Sequence, residues 1–500
     1  MFFLSPFAPF FAALMIATAL AAIGRKFKQR AAGRGLIVSS IILLIFFQPI
    51  ASLVSPASDQ ACYGNIYLLS CLAFLSISGF TYICGKSIFL NSSRTVYFLA
   101  IAINSSFPYS FYLLINYLGY RTEAGVLAFS SLFFMLNQIL FLSDARKKKC
   151  DIRIFEFATY ALLPPRAFIG PLIRYSKFVR ELRSSDAPPP RWFELGFILF
   201  AIGAAKKLLI ADQLDSYIRS VFRAAVGGIS VGGIDAWLGV IGNAFQLYFE
   251  LSGYCDMAMG TCLLLGLRLP RAFASPYRAA GLSQFWHRWH RTVTAFWRLY
   301  VYRPLAGKGG KIRRAAALLA TTALTGAWLG PRGENIAWGL MQGMGLAIGS
   351  VAGSGSKGLQ RVLNFPRSIA VFLFVALSWA LLRSSSWTGV SQLFDGLRGH
   401  NGFLLPAAFQ GAAGRFKDLF GFTSDTLIPN QAWGIATLML LIAIAAFICF
   451  VMPAIQRASV TVQRIYFCTV IYFLCCAYFS NEAALPPMLG LSFATFRAAP

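Results

Sequence analysis

Mostly apolar stretches of about 15 to 25 residues recur along the chain and are separated by polar segments. A helix needs about 20 such residues to cross the hydrocarbon core of a bilayer. Runs of this kind occur at 4–24, 36–54, 66–84, 95–119, 315–330, 336–351, 368–382, 434–452 and 465–480. Together with less regular crossings in the middle third, the pattern predicts an all-α, polytopic membrane protein of about 11–13 spans.

The segment from Asp151 to Arg191 breaks this regularity. It begins beside a run of lysines and ends in a basic stretch, so both of its ends favour the same side of the membrane. Pro164, Pro165 and Pro171 interrupt its apolar centre, and proline removes a backbone donor from a helix. Broken backbone is tolerated at membrane depth only where protein or a water-filled cavity surrounds it. We therefore expect a re-entrant pair of short helices rather than one span.

Composition supports a bilayer environment. Hydrophobic residues make up 57% of the chain and charged residues 13%, which is too little polar surface to coat a soluble protein of this size. The formal net charge of +27 could indicate nucleic-acid binding. Lysine and arginine are, however, concentrated at the ends of apolar runs, where membrane insertion and anionic headgroups favour them. We expect membrane lipids, and no nucleic acid, as partners of this charge.

The basic residues also predict an orientation and three regions. Five basic residues follow the first apolar run and none precedes it, and the next loops alternate between basic-poor and basic-rich. Because cytoplasmic loops retain lysine and arginine, the N-terminus is expected outside. Residues 1–150 form N-terminal spans and residues 151–403 form a core with the re-entrant segment. A long outer loop is expected from Arg383 to Trp433, so residues 404–500 hold most of that loop and the C-terminal spans.

Ionisable residues lie inside two apolar runs of the core. Lys206 and Lys207 fall in the run 193–214, and Glu250 and Asp256 fall in the run 236–267. Such groups are costly in hydrocarbon and are therefore candidates for a functional site. Alternatively, a lysine pairs with a carboxylate only to hold two helices together. The sequence leaves both interpretations open.

The segment from Phe285 to Arg303 combines aromatic residues, arginines and two of the chain's three histidines. This composition is typical of a helix at the membrane interface. His287 and His290 are three residues apart and would share one face of such a helix. A histidine can accept a proton from a hydroxyl. A metal site is the alternative, but no third ligand lies nearby, so we expect no metal.

Five motifs occur in the order found in the membrane-bound O-acyltransferase family. They are LPPRAFIGPLIRYSKF (163–178), FQLYFELSGYCDMAMG (245–260), LRLPRAFASPYR (267–278), QFWHRWHRTVTAFWRLYVYRPLAG (284–307) and WALLRSSSW (379–387). From about 155 to 403 the chain resembles this family, specifically the bacterial branch that includes the alginate O-acetylation and teichoic-acid D-alanyl transfer proteins. The resemblance implies tilted helices around a central tunnel, which an acyl donor enters from the cytoplasm and a hydroxyl acceptor reaches from outside.

The resemblance also implies two active-site histidines. His290 matches the first, because residues 288–290 read Arg-Trp-His as in the family. The second belongs to a Trp-His-Gly element that reads WLG here, so Leu329 stands at the position of the histidine. His287, one helical turn from His290, could compensate. The residues that would bind the donor or line the tunnel are Arg288, Arg291, Arg298, Trp289, Trp328, Glu250 and Asp256.

These observations favour an O-acyltransferase in the bacterial cytoplasmic (inner) membrane. It would move a short acyl group, with acetyl as the favoured case, from a thioester (acyl-CoA or an acyl carrier) to hydroxyls of a cell-surface polysaccharide or cell-wall polymer. No cofactor is expected beyond that donor substrate, and the resemblance implies an extracytoplasmic partner protein that completes the transfer.

Two other classes of function stay open. Leu329 motivates a catalytically impaired subunit that acts as a scaffold or channel, since the loss of a general base typically costs on the order of 100- to 10,000-fold in rate. The other class is an unrelated transporter with broken helices at mid-membrane. In that case the order of the motifs would be a coincidence.

Overall fold

A computed structural model describes residues 60–117, 121–163, 170–183, 189, 191–351, 357–402 and 432–450 of the chain. Its regular elements over these residues are all helical, which confirms the predicted class for this part of the protein. The chain divides into two compact units. Of the described residues, those up to 202 and those at 255–270 belong to the first unit, and the others belong to the second.

The described part of the first unit begins with three long helices and continues with shorter ones. They are α1 (Gln60–Asn91), α2 (Arg94–Tyr117), α3 (Arg121–Arg146), α4 (Ile154–Leu162), α5 (Tyr175–Arg183) and most of α6 (Arg191–Ala205). The predicted span at 66–84 thus lies within α1, and the part of the span at 95–119 that the structure describes lies within α2. Those at 4–24, 36–54 and 465–480 lie outside the described residues.

Two short helices flank the proline-rich centre of the predicted re-entrant segment, whose residues 164–169 lie outside the described part. Helices α4 and α5 have nine residues each, about 14 Å, which is too short to cross a bilayer. Arg183 binds the Glu156 carboxylate with two hydrogen bonds of 2.7 and 2.8 Å. The Tyr160 hydroxyl donates to the carbonyl of Ile173. These contacts hold the two helices together.

The second unit contains the rest of the described chain. A π-helical turn (Lys206–Ala211) joins α6 to α7 (Asp212–Val226), and α8 (Gly233–Leu264) follows, with its last ten residues in the first unit. The remaining helices are α9 (Leu282–Arg288), α10 (Arg291–Trp297), a π-helical turn (Arg298–Tyr302), α11 (Arg303–Ala306), α12 (Lys311–Leu329), α13 (Gly333–Val351), α14 (Lys357–Arg383), α15 (Trp387–Leu397) and α16 (Ala432–Phe450).

Two predictions about the second unit need correction. The segment 285–303 is not one helix but a series of short pieces, because the backbone changes direction at residues 289 and 290. The expected outer loop contains helix α15. Ser386 caps its start by accepting a hydrogen bond from the Gly389 amide, and Val390 and Leu393 bury one face.

Two helices of the described residues are long and apolar enough to cross a membrane, over Leu72–Asn91 and Phe365–Arg383. Large apolar side chains are exposed along α1 and α2, among them Ile83, Phe98 and Leu113. Apolar side chains facing outward are what a lipid environment accommodates.

Glycines bring α12 and α13 into close contact. A Cβ added at Gly339 would collide with the backbone carbonyl of Thr322, and one added at Gly343 would collide with the Thr322 hydroxyl. On the other helix, a Cβ at Gly326 would collide with the carbonyl of Asn335. Small residues spaced four apart allow helix backbones to approach closely in membrane proteins. This helix pair fixes the position of residue 329 at the end of α12.

We expect Gly339→Ala to lower the thermal stability of the detergent-purified protein, because the added methyl meets the Thr322 backbone rather than a side chain that can move. Overpacking of this kind costs about 1–3 kcal/mol. Gly349→Ala, on the same helix, is the matched control, since a Cβ there meets nothing within 4 Å. Equal melting temperatures for the two variants would contradict the close packing of α12 and α13.

Candidate active site

The backbone at His290 adopts a left-handed conformation (φ 33°, ψ 59°) that separates α9 from α10. This conformation is uncommon for a residue other than glycine. Hydrogen bonds on both sides hold it in place: the Arg291 amide donates to the carbonyl of Ala272 at 2.6 Å, and the Ala274 amide donates to the carbonyl of Arg288 at 3.0 Å. Backbone strain of this kind is concentrated at functional sites.

Trp289 anchors the break in a cluster of aromatic side chains. Its ring centroid lies 4.4 Å from that of Trp379 and 5.1 Å from that of Phe273, and it stacks on Phe285 at 5.5 Å. Each such pair contributes about 0.5–1.5 kcal/mol beyond the burial of its area. The other members of the aromatic cluster, which comes from four of the five motifs, are Phe245, Tyr248 and Tyr277.

The imidazole of His290 is buried, with 5% of the residue exposed. Its ring packs edge-on against Phe273 at 5.4 Å, and its Nδ1 lies 3.5 Å from the Thr292 hydroxyl. A buried imidazole beside an aromatic wall is a candidate for proton transfer in a site with little water.

His287 has a different environment, so the two histidines do not share a helical face. Its ring is exposed, and Nδ1 lies 2.7 Å from the carbonyl of Ser283. A carbonyl only accepts hydrogen bonds, so Nδ1 carries the proton. Nε2 then accepts a 2.9 Å hydrogen bond from the guanidinium of Arg298. The lone pair that a base would need is occupied by that contact.

The arginines predicted to bind a donor lie around this break. Arg291 and Arg298 are exposed, and the half-buried Arg288 places its Nη1 3.4 Å from the carbonyl of Ser275. Exposed guanidinium groups beside a buried histidine form a surface that suits a phosphorylated ligand.

The WLG element lies near the C-terminal end of α10. Trp328 is buried, with its ring 5.8 Å from that of Trp297. Leu329, the last residue of α12, is half-buried. The carbonyl of Gly330 accepts a 3.1 Å hydrogen bond from Asn335. The structure therefore brings the degenerate position 329 close to the helix that begins at His290.

Glu250 belongs to an ion-pair network. Such pairing is the alternative left open by the sequence, in which a lysine and a carboxylate hold two helices together. Its Oε1 lies 3.2 Å from Nζ of Lys207, and its Oε2 accepts a 2.8 Å hydrogen bond from Gln246. Lys207 also binds Asp212. Asp256, the other predicted carboxylate of α8, is buried in the first unit.

The sequence analysis missed Arg383, which completes this network. Its guanidinium donates to Asp215 at 2.7 Å and to Gln246 at 3.0 Å, and Arg219 binds the other oxygen of Asp215. Three cations thereby balance three carboxylates in the network, a set made up of Lys207, Arg219, Arg383, Asp212, Asp215 and Glu250. The sequence did offer a signal for this residue, because Arg383 lies within the WALLR motif, four residues after Trp379.

Within the described ranges, no group of three or more histidine, cysteine, aspartate or glutamate side chains could hold a metal ion.

Comparison with known proteins identifies the segment that carries this site. Residues 113–357 match the pattern of the membrane-bound O-acyltransferase family, and this range includes both His290 and Leu329. This match covers just under half of the chain. It confirms the predicted resemblance to the family and implies a membrane protein.

The chain spans about half the length of the individual relatives that it matches. Peptidoglycan O-acetyltransferase of Helicobacter pylori is 30% identical over 305 residues, which cover 55% of this chain and 57% of the relative. The probable alginate O-acetylase AlgI of Pseudomonas syringae is 32% identical over 257 residues, 51% and 48% of the two chains. Teichoic acid D-alanyltransferase of Streptococcus thermophilus is 26% identical over 211 residues, 40% and 50%.

Replacing Lys207 with methionine should strongly destabilise the protein, because Asp212 and Glu250 lose the cation that they share. Removal of one partner from a buried ion pair typically costs about 3–5 kcal/mol. Thermal unfolding in detergent measures the effect. Arg223→Met is the control, since Arg223 is exposed on α7. A melting temperature of the Lys207 variant within the range of that control would contradict the structural role of the network.

Proposed function

We propose that this protein transfers a short acyl group, with acetyl as the favoured case, from a cytoplasmic thioester to hydroxyls of a cell-surface polysaccharide or cell-wall polymer. The family match supports O-acyl transfer, and the relatives are named for peptidoglycan, alginate and teichoic acid. The observation that carries the proposal is the buried His290 at a strained break, next to exposed arginines.

In the proposed reaction, the acceptor oxygen attacks the thioester carbonyl carbon, so that a C–O bond forms and the C–S bond breaks. The hydroxyl proton ends on the sulfur of the released thiol. His290 either accepts that proton first or orients the thioester carbonyl. Arg288, Arg291 and Arg298 hold the anionic part of the donor. Trp289 and Trp328 line the path to the site, and Glu250 and Asp256 order its helices.

We also propose the cellular setting. The alternation of basic loops supports a multi-pass protein of the bacterial cytoplasmic membrane with its N-terminus outside. An extracytoplasmic partner protein would complete the transfer to the polymer, because a membrane tunnel delivers an acyl group only to the membrane surface. His287 could still compensate for Leu329 if its contact with Arg298 opens when the donor binds.

The backbone conformation at His290 dictates the best variant for testing its role. Asparagine tolerates a left-handed backbone better than alanine does, so His290→Asn removes the imidazole and keeps the turn. We expect acylation of the envelope polymer in the native host to fall by about 100-fold or more, the usual scale for loss of a general base. Base-released acyl ester from purified polymer measures the effect.

Ser275→Asn is the matched control for this variant. Ser275 also has a positive φ, of 51°, and lies beside Arg288, so the same substitution tests the effect of backbone strain without removing an imidazole. Wild-type acylation in the His290→Asn strain, at equal protein level, would refute the catalytic assignment of His290.

Leu329 favours a second candidate function, a catalytically impaired subunit that retains the scaffold. Leu329→His distinguishes the two when thioester turnover is assayed with purified protein and acetyl-CoA. If the protein is an active enzyme, the wild type already shows turnover of the thioester. Turnover that appears only in the Leu329→His variant would support the impaired subunit and contradict the enzyme.

A further inference from the structure

Two buried polar residues follow the degenerate position in the turn between α12 and α13. Glu334 is 6% exposed and Asn335 is 2% exposed, both in the first turn of α13. Neither was singled out by the sequence motifs. Glu334 takes part in no side-chain hydrogen bond or ion pair within the described part of the chain, and its carboxylate oxygens are not among the fully buried, unpartnered atoms there. A carboxylate at a largely buried position that keeps some access is a candidate for binding a ligand.

Asn335 holds the start of α13 next to the WLG element. Its Nδ2 donates to the carbonyl of Gly330 at 3.1 Å. Its Oδ1 is buried and has no hydrogen-bond partner among the described residues. A buried acceptor left without a partner costs about 1–3 kcal/mol. The side-chain oxygen of Asn335 is therefore a hydrogen-bond acceptor available to a ligand. The carboxamide that carries it lies next to Gly330, the residue that follows Leu329.

The same region faces the helix that begins at His290. The ring of Trp297 lies 5.8 Å from that of Trp328, and its Nε1 is also buried without a partner in the described part of the chain. Trp297 ends the seven-residue helix α10, about 10 Å along the axis from His290. A hydrogen-bond donor on α10 and an acceptor at the start of α13 thus both lie without partners, among the described residues, next to the WLG element.

We propose that Glu334, assisted by Asn335, replaces the histidine absent at position 329 and binds a hydroxyl of the acceptor. This inference rests on the proposed function. The Glu334 carboxylate accepts the hydroxyl proton as the C–O bond to the acyl carbon forms and the C–S bond breaks. The proton then passes to the departing thiolate, so Glu334 is regenerated. His290 acts as the group that orients the thioester.

The chemistry of these groups selects a neutral polyol rather than the donor. A sugar hydroxyl both donates and accepts, so one hydroxyl can donate to Glu334, while its neighbours donate to Asn335 and accept from the indole N–H of Trp297. A phosphorylated donor would be repelled by the carboxylate and is instead suited to the exposed arginines near His290.

The test uses the full-length protein in its native host, with the chromosomal gene deleted and variants supplied at matched membrane levels. The readout is acyl ester released by mild base from the purified envelope polymer. Glu334→Gln keeps the shape of the side chain and removes the base, and we expect at least a 100-fold lower acylation rate. Arg332→Gln, at an exposed position of the same turn, is the matched control and should keep the wild-type rate.

The second variant separates a catalytic role from a structural one. In the Glu334→Gln background, Leu329→His returns an imidazole to the family position, and we expect the rate to recover at least tenfold. A Glu334→Gln rate equal to that of Arg332→Gln overturns the inference, and so does a loss that Leu329→His does not rescue. If deletion of the gene leaves the ester content unchanged, the proposed function itself fails.

Discussion

Packing of the Trp289 ring against Trp379 and Phe273 is the interaction on which the candidate active site depends. A left-handed backbone costs an L-residue about 1–2 kcal/mol, so His290 does not adopt it without support. Trp289 is held by buried aromatic neighbours, and hydrogen bonds to residues 272 and 274 fix the backbone on both sides. Because Trp289 is fixed, the backbone turns away from α9 at His290, and α10 begins at the next residue.

The ion-pair network supports the same two helices that carry the aromatic cluster. Arg383 lies one turn beyond Trp379 on α14, and Gln246 lies between Phe245 and Tyr248 on α8. The hydrogen bond between Arg383 and Gln246 therefore links the elements whose aromatic side chains enclose Trp289. Opposite charges balance within the network, which limits the cost of placing them in an apolar protein. Charge pairing and aromatic packing thus act on one framework.

The side chain at position 329 takes no part in the packing that holds its element in place. The packing of Trp328 on Trp297 and the close approach of α12 to α13 through glycines do not involve the side chain at 329. The element therefore keeps its place when histidine becomes leucine. The buried polar groups nearest along the chain, Glu334 and Asn335, belong to the following turn at the start of α13.

From the sequence alone, the length of the apolar runs predicted long helices, and the order of the motifs indicated the family and the candidate positions His290 and Leu329. The local sequence suffices for these features because the length of an apolar run and the order of motifs are both properties of the chain itself. The tertiary structure decided the break at His290, the π-helical turns and the partners of Arg383. No glycine or proline marks that break, and Arg383 binds Asp215 from 168 residues away. Such features depend on contacts between distant segments, which no local pattern encodes.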